Sequence, residues 1–208
     1  SWMVLILALA FGATLAGVQV GLEDRIEANL RAETLSRIPE LVLGAELGDD
    51  AEVAIQDNTL RVARAAGPTL EIEVEERQIS GHQTFEVTGS EDGERLGWVV
   101  RGAGQGYADL IEVLVGLDAS AAEITGLYVL SQKETPGLGD AIKTAGFRSR
   151  FIGASTRRPV TVTKNPEAAA SDASQILALT AATISSQSVS DIVNRTVAEV
   201  RADIEPPS

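Results

Sequence analysis

From Ser1 to Leu22 the chain carries no charged residue, and Glu23, Asp24 and Arg25 then arrive together. As a helix such a run spans roughly 30 Å, about one bilayer core, and it predicts a transmembrane anchor over residues 1–22. A signal peptide would have a shorter apolar core with basic residues ahead of it, and none precedes this run. The lack of an initiator Met leads us to expect a longer chain whose preceding flank carries the basic residues that orient an anchor. Ile26, Leu30, Leu35 and Ile38 follow at near-helical spacing among charges. They predict an amphipathic connecting helix over residues 23–43 that closes near Pro39.

The stretch LGAELGDDAEV reads as a linker, and residues 44–208 as one further domain. In it the period changes from helix to strand. LRVARA, TLEIEVEER, TFEVTG and GWVVRG each predict a strand, with Leu70, Ile72 and Val74 alternating against charges. DLIEVLVGLD and ITGLYVLSQ are apolar runs of core-strand type, and DAIKTAGFRSRFIG places Ile142, Phe147 and Phe151 in a short helix. PVTVTK is a further short strand. Val189, Ile192, Val193, Val197, Val200 and Ile204 form one face of a closing amphipathic helix. The expected fold class is α+β: an N-terminal transmembrane helix, then a mixed domain whose sheet is covered by the last helix.

Charge and composition narrow the function. A net charge of −13 offers no basic stripe for a phosphate backbone, so nucleic acid is not an expected partner. The pair Arg157–Arg158 reads as a solvated loop. With no cysteine, iron–sulfur clusters, thiolate zinc and thiol catalysis are excluded. The single histidine, His82, cannot build a multi-histidine metal site and is expected at the surface.

Three stretches could carry chemistry. RGAGQGY spaces Gly102, Gly104 and Gly106 as G-x-G-x-G ahead of a strand, so it does not fit the dinucleotide fingerprint. It reads as a tight turn ending in Tyr107, compatible with a ring-shaped ligand. In KETPGLGD, Pro136 fixes one dihedral while Gly137 and Gly139 admit positive φ. The loop is a structural turn or a binding loop with equal warrant, and Glu134 lacks a partner at a spacing that would make a catalytic pair. In TAATISSQSV, Thr180, Thr183, Ser185 and Ser186 crowd the start of the last helix. Such hydroxyls cap helices, and the same terminus stabilises a phosphate through free N–H groups, with Ala181 and Ala182 small enough for close approach.

The order of an apolar N-terminal helix, GYADLIEVLVGLD, ITGLYVLSQKETPGLGD and TAATISS ahead of the final helix resembles a known family. This is the FMN-binding domain family of the G subunit of the Rnf electron-transport complex and the C subunit of the sodium-pumping NADH:quinone oxidoreductase. The resemblance covers the anchor and roughly Gly102 to Val200, and ETPGLG is its most specific motif. It implies FMN as cofactor, joined through its phosphate to Thr183 in the motif Thr180, Ala181, Ala182, Thr183, with Ser185 close by. It also implies that Glu134, Thr135, Pro136, Gly137, Leu138 and Gly139 pack near the flavin, with Gly106 and Tyr107 as further contacts. The implied role is a single-pass subunit of the bacterial inner membrane, its domain on the extracytoplasmic side, relaying electrons in a redox-driven ion-translocating ferredoxin:NAD oxidoreductase. The implied partners are the other membrane subunits of an Rnf-type complex and a flavin transferase, with no stand-alone catalytic site and no metal. Two departures stand out: Leu177 occupies a position that is usually acidic, Asp172 being the nearest upstream acid, and Ala181 replaces the usual glycine. The alternatives are a flavin-free extracytoplasmic scaffold and a flavin relay of another respiratory chain.

Overall fold

The computed structural model describes residues 2–44, 52–63, 68–91 and 93–204. Helix α1, Trp2–Leu43, runs through both the uncharged stretch and the amphipathic one without a break. The chain divides into two compact units, Ser1–Ser36 and Arg37–Ser208. In the first, Trp2, Ile6, Leu7, Leu9 and Phe11 are all exposed. Among the described residues no helix is long and apolar enough to cross a membrane. The side chains of Leu5, Leu15, Val18, Val20 and Leu22 are not among those described, so the predicted span rests on the sequence.

The second unit is mixed α+β. Seven strands, β1 Glu52–Gln56, β2 Thr59–Ala63, β3 Leu70–Ile79, β4 His82–Gly89, β5 Arg95–Gln105, β6 Leu110–Asp118 and β7 Ile124–Ser131, pair antiparallel in chain order. Alternation along β5 and β6 sorts the side chains into two layers. Trp98 and Val100 lie opposite Leu117 and Val115, on the face packed by helix α4, Thr183–Ile204. The stripe Val189, Ile192, Val193, Val197 and Val200 is fully buried there, each side chain contributing about 1.5–3 kcal/mol of apolar burial.

The other face takes the last turn of α1. That turn was expected to stop near Pro39, yet it continues to Leu43 because Ile38, Leu41 and Val42 are buried on either side of the proline. Glycines in the strands make room for it. A Cβ at Gly116 would lie 2.3 Å from Leu41 O, and one at Gly97 2.9 Å from Val42 Cγ1. Thr125 Oγ1 donates to Leu41 O at 2.6 Å.

Between β7 and α4 the elements are short and broken. The expected helix over Asp140–Gly153 is a 3-10 turn at Gly139–Lys143, a four-residue helix α2 at Ala145–Arg148 and a second 3-10 turn at Ser149–Phe151. Ile142, Phe147 and Phe151 are buried as its apolar spacing requires. Helix α3, Pro166–Ser171, and the parallel pair β8 Thr161–Thr163 and β9 Gln175–Leu177 complete the unit; β9 was not expected from the sequence. The predicted linker falls largely on residues 45–51, outside the described residues, and its end belongs to β1.

Two expectations are corrected. RGAGQGY is a turn only at its end, where Gly106 N–H donates to Asp109 O at 2.8 Å: Gly102 and Gly104 lie inside β5, where a Cβ would meet Thr196 Oγ1 at 2.4 Å and Ile192 Cγ1 at 2.6 Å, so they are the seat of α4. His82 is half-buried rather than a free surface residue. Its Nε2 lies 2.6 Å from Glu199 Oε2 and its Nδ1 3.2 Å from Arg101 O, tying β4 and β5 to α4.

Candidate functional site

Thr135–Pro136–Gly137–Leu138 is a hydrogen-bonded turn, with Leu138 N–H donating to Thr135 O at 3.1 Å. Pro136 in second place and Gly137 at φ +76° in third are what a type II turn demands. The turn projects Leu138 outward, 44% exposed, and turns Gly139 inward. Behind it, Glu134 is buried. Its N–H donates to Gln132 Oε1 at 2.5 Å, its Oε1 accepts from Ala108 N–H at 3.0 Å, and its Oε2 accepts from Ser185 Oγ at 2.5 Å. Lys133 pairs with Asp109 at 3.2 Å, closing the loop against the β5–β6 turn. The N–H of Leu110 and Lys133 hold the Asp109 carboxyl below its ordinary range.

The four hydroxyls at the start of α4 divide into two pairs. Ser186 Oγ accepts from Leu179 N–H at 3.0 Å and donates to Ala182 O at 2.9 Å, stapling the turn that enters the helix. Ser185 is committed to Glu134. Thr180 and Thr183 have no side-chain partner among the described residues, so among those residues none of the four hydroxyls takes up a first-turn N–H of α4 as a cap would. Thr183 is the first residue of α4, and the N–H groups of its first turn have no acceptor within the helix. Ala181, just before, adopts φ +61°, a conformation that favours glycine.

These elements enclose a cleft of about 520 Å³. One wall is Thr135, Leu138 and Gly139; the other is Ala181, Ala182, Thr183, Ile184 and Ser185; Tyr107 stands at the rim. Of the residues expected at the site, these wall and rim residues are brought together. Glu134 and Gly106 lie directly behind the lining, a Cβ on Gly106 falling 2.4 Å from Glu134 Oε1. Pro136, Gly137 and Thr180 shape the backbone without lining the cleft. Ile184 was missed, although its sequence signal was available: an isoleucine off the apolar stripe of α4, here 58% exposed.

The arrangement suits an aromatic ring carrying a phosphate. Exposed Tyr107, Leu138 and Ile184 offer apolar surface, while an open helix N-terminus offers N–H groups and a positive dipole end. A slightly larger depression of about 590 Å³ is bounded by Asp57, Glu73, Glu75 and Glu86, whose charge disfavours phosphate. Among the described residues no group of three or more His, Cys, Asp or Glu side chains could hold a metal ion.

The sequence profile of the FMN-binding domain matches residues 106–198, the segment that builds this cleft. The cofactor of this domain is FMN. The chain is 35% identical over 111 residues to the G subunit of the Na(+)-translocating ferredoxin:NAD(+) oxidoreductase complex of Acetobacterium woodii, covering 52% of this chain and 51% of that one. It is 34% identical over 110 residues to the G subunit of the ion-translocating oxidoreductase complex of Methanosarcina acetivorans, covering 53% and 54%. It thus spans about half the length of the curated relatives it matches. The fold is similar to that of Shewanella oneidensis NqrC, with a TM-score of 0.51 at 19% identity over 59% of this chain and 60% of that one.

Relative to the motif of this family, Asp172 lies away from the cleft. It follows α3, where its carboxyl accepts from Ser174 N–H and Oγ at 2.9 and 2.7 Å and pairs with Arg158 at 3.6 Å. The Ser174 bonds, foremost the one from its N–H, hold the Asp172 carboxyl below its ordinary range. Leu177 ends β9, and its carbonyl accepts from Arg150 Nη1.

Proposed function

We propose that this chain is a membrane-anchored flavoprotein subunit that relays electrons through FMN held as a phosphoester on Thr183, within an ion-translocating oxidoreductase complex of Rnf type. The observation that carries the reading is Thr183 itself: a hydroxyl with no side-chain partner among the described residues, on the open first turn of α4, in the wall of the cleft. Esterification there, with loss of water overall, places the phosphate against free N–H groups. Leu138 and Ile184 would give the ring apolar walls that shield it from water, with Tyr107 at the rim. FMN supplies the redox chemistry when bound, taking up two electrons and releasing them singly, and the protein orients it and sets its electrostatics.

The names of the relatives support membership in a membrane complex, and with it partner subunits that donate and accept the electrons. The uncharged run to Leu22, with Trp2, Ile6, Leu7, Leu9 and Phe11 exposed, supports a single-pass anchor, the domain then lying on the extracytoplasmic side. Attachment calls for a flavin transferase. Leu177 is the one feature favouring a flavin-free scaffold, because it removes the acid expected ahead of the modified threonine.

Thr183→Val tests the reading. It removes the hydroxyl and nearly preserves shape, so flavin fluorescence on the denatured band is expected to vanish while the folded protein melts within a few degrees of wild type. Fluorescence that persists on the denatured variant would contradict attachment at Thr183.

A further inference from the structure

Glu134 sits where an anion-binding site would not be expected to keep a carboxylate. It is 4% exposed, and each of its oxygens accepts one bond, from Ala108 N–H and from Ser185 Oγ, which is the acceptor pattern of an ionised group. Ser185 belongs to the first turn of α4, so the carboxylate already shares the positive end of that helix. Little separates it from the cleft. A Cβ on Gly139, which lines the cleft, would fall 2.9 Å from Glu134 Oε2 and 2.8 Å from Ser185 Oγ, so only the Gly139 backbone and the small Ser185 side chain lie between the carboxylate and the ligand space on that side.

We infer that Glu134 is a specificity-determining residue that makes the cleft select a singly charged phosphodiester over a free phosphate monoester. The inference rests on FMN occupying this cleft. A phosphate monoester carries about −1.5 to −2 at neutral pH, while a diester carries a single charge. With one negative charge fixed behind Gly139, the more highly charged monoester is repelled more strongly than the diester. The buried carboxylate therefore suits a cofactor that arrives covalently joined to Thr183 and disfavours replacement by free FMN from solution. It also gives Gly106 and Gly139 a common reason, since each is the residue that lets the carboxylate lie where it does.

The test uses the full chain in detergent on the Thr183→Val background, titrated with free FMN and with riboflavin, the same ring without phosphate. Thr183→Val/Glu134→Gln is expected to bind FMN about ten-fold more tightly than Thr183→Val, with riboflavin affinity unchanged. A structural role alone would move both ligands together. A second measurement repeats the titrations at high salt: the FMN difference between the two variants is expected to persist, because a charge buried as Glu134 is buried is screened much less than a surface one. Equal FMN affinities with and without the Glu134 charge, an equal shift for riboflavin, or an FMN difference that vanishes at high salt would overturn the inference. A wild-type chain carrying no flavin at all would instead overturn the FMN relay reading, and is separately visible as an unmodified mass.

Discussion

Ala181 and Thr183 show how finely the site depends on single backbone positions. Ala181 holds φ +61°, where an L side chain is strained by roughly 1–2 kcal/mol and glycine is not. Ala181→Gly is therefore expected to stabilise the unit by about 1 kcal/mol, a rise of roughly 2–4 °C in a thermal melt for a chain of this size. A second residue-scale effect lies at Asp118, the last residue of β6, where the turn to β7 begins. Burial pushes its carboxyl up, but the bond from Ser120 Oγ and those from the N–H groups of Glu123, Ala122 and Ser120 together hold it below its ordinary range. A lowered native value means that its stabilisation is fully present above the unfolded pKa, about 3.9, and is lost as pH falls through the native value. Asp118→Asn should melt below wild type at pH 7, and the gap should close as pH falls below about 4. A gap that stays constant down to pH 2 would contradict this. At this scale the sequence was informative where conformation is dictated by residue type, as in Thr135–Pro136–Gly137–Leu138. It could not separate Ser185 from Thr183, because what distinguishes those two hydroxyls is a carboxylate some fifty positions earlier in the chain.

Among the elements, the strands were legible because alternation of apolar and charged positions reports a half-buried surface directly, as in β3. The glycines were not, because a glycine at a turn and one beneath a helix look alike until the partner is known. Gly102 and Gly104 are beneath α4, and Gly116 and Gly126 are beneath Leu41. Gly102→Ala is expected to cost about 1–3 kcal/mol by pushing α4 off β5, since its Cβ would lie 2.4 Å from Thr196 Oγ1. Gly146→Ala is the control: nothing lies within 4 Å of its Cβ, and in α2 alanine is favoured by up to about 1 kcal/mol. Denaturant midpoints for the two variants should move in opposite directions. β8 was legible in PVTVTK, but its partner β9 stayed hidden because a three-residue strand carries no periodicity. They are held by tertiary bonds such as those of Asn194, whose side chain takes both the N–H and the C=O of Val160 at 2.8 Å. The helix end at Pro39 was misplaced for a related reason: burial of Leu41 and Val42 outweighs the lost backbone bond.

At the largest scale, the unit Arg37–Ser208 is a sheet whose two faces are each covered by a helical segment, α4 on one and the end of α1 on the other. The candidate cleft opens where the β5–β6 turn, the loop after β7 and the start of α4 converge. Most of the cleft was readable from motifs because its walls are local sequence stretches, and only their convergence required the fold. Whether FMN is joined to Thr183 is decided by the intact mass of the chain purified from cells containing a flavin transferase. The expected mass is raised by one FMN less one water, with the added mass mapping to the peptide that contains Thr183 and absent from Thr183→Val. An unmodified wild-type mass, or an adduct that survives in Thr183→Val, would contradict it.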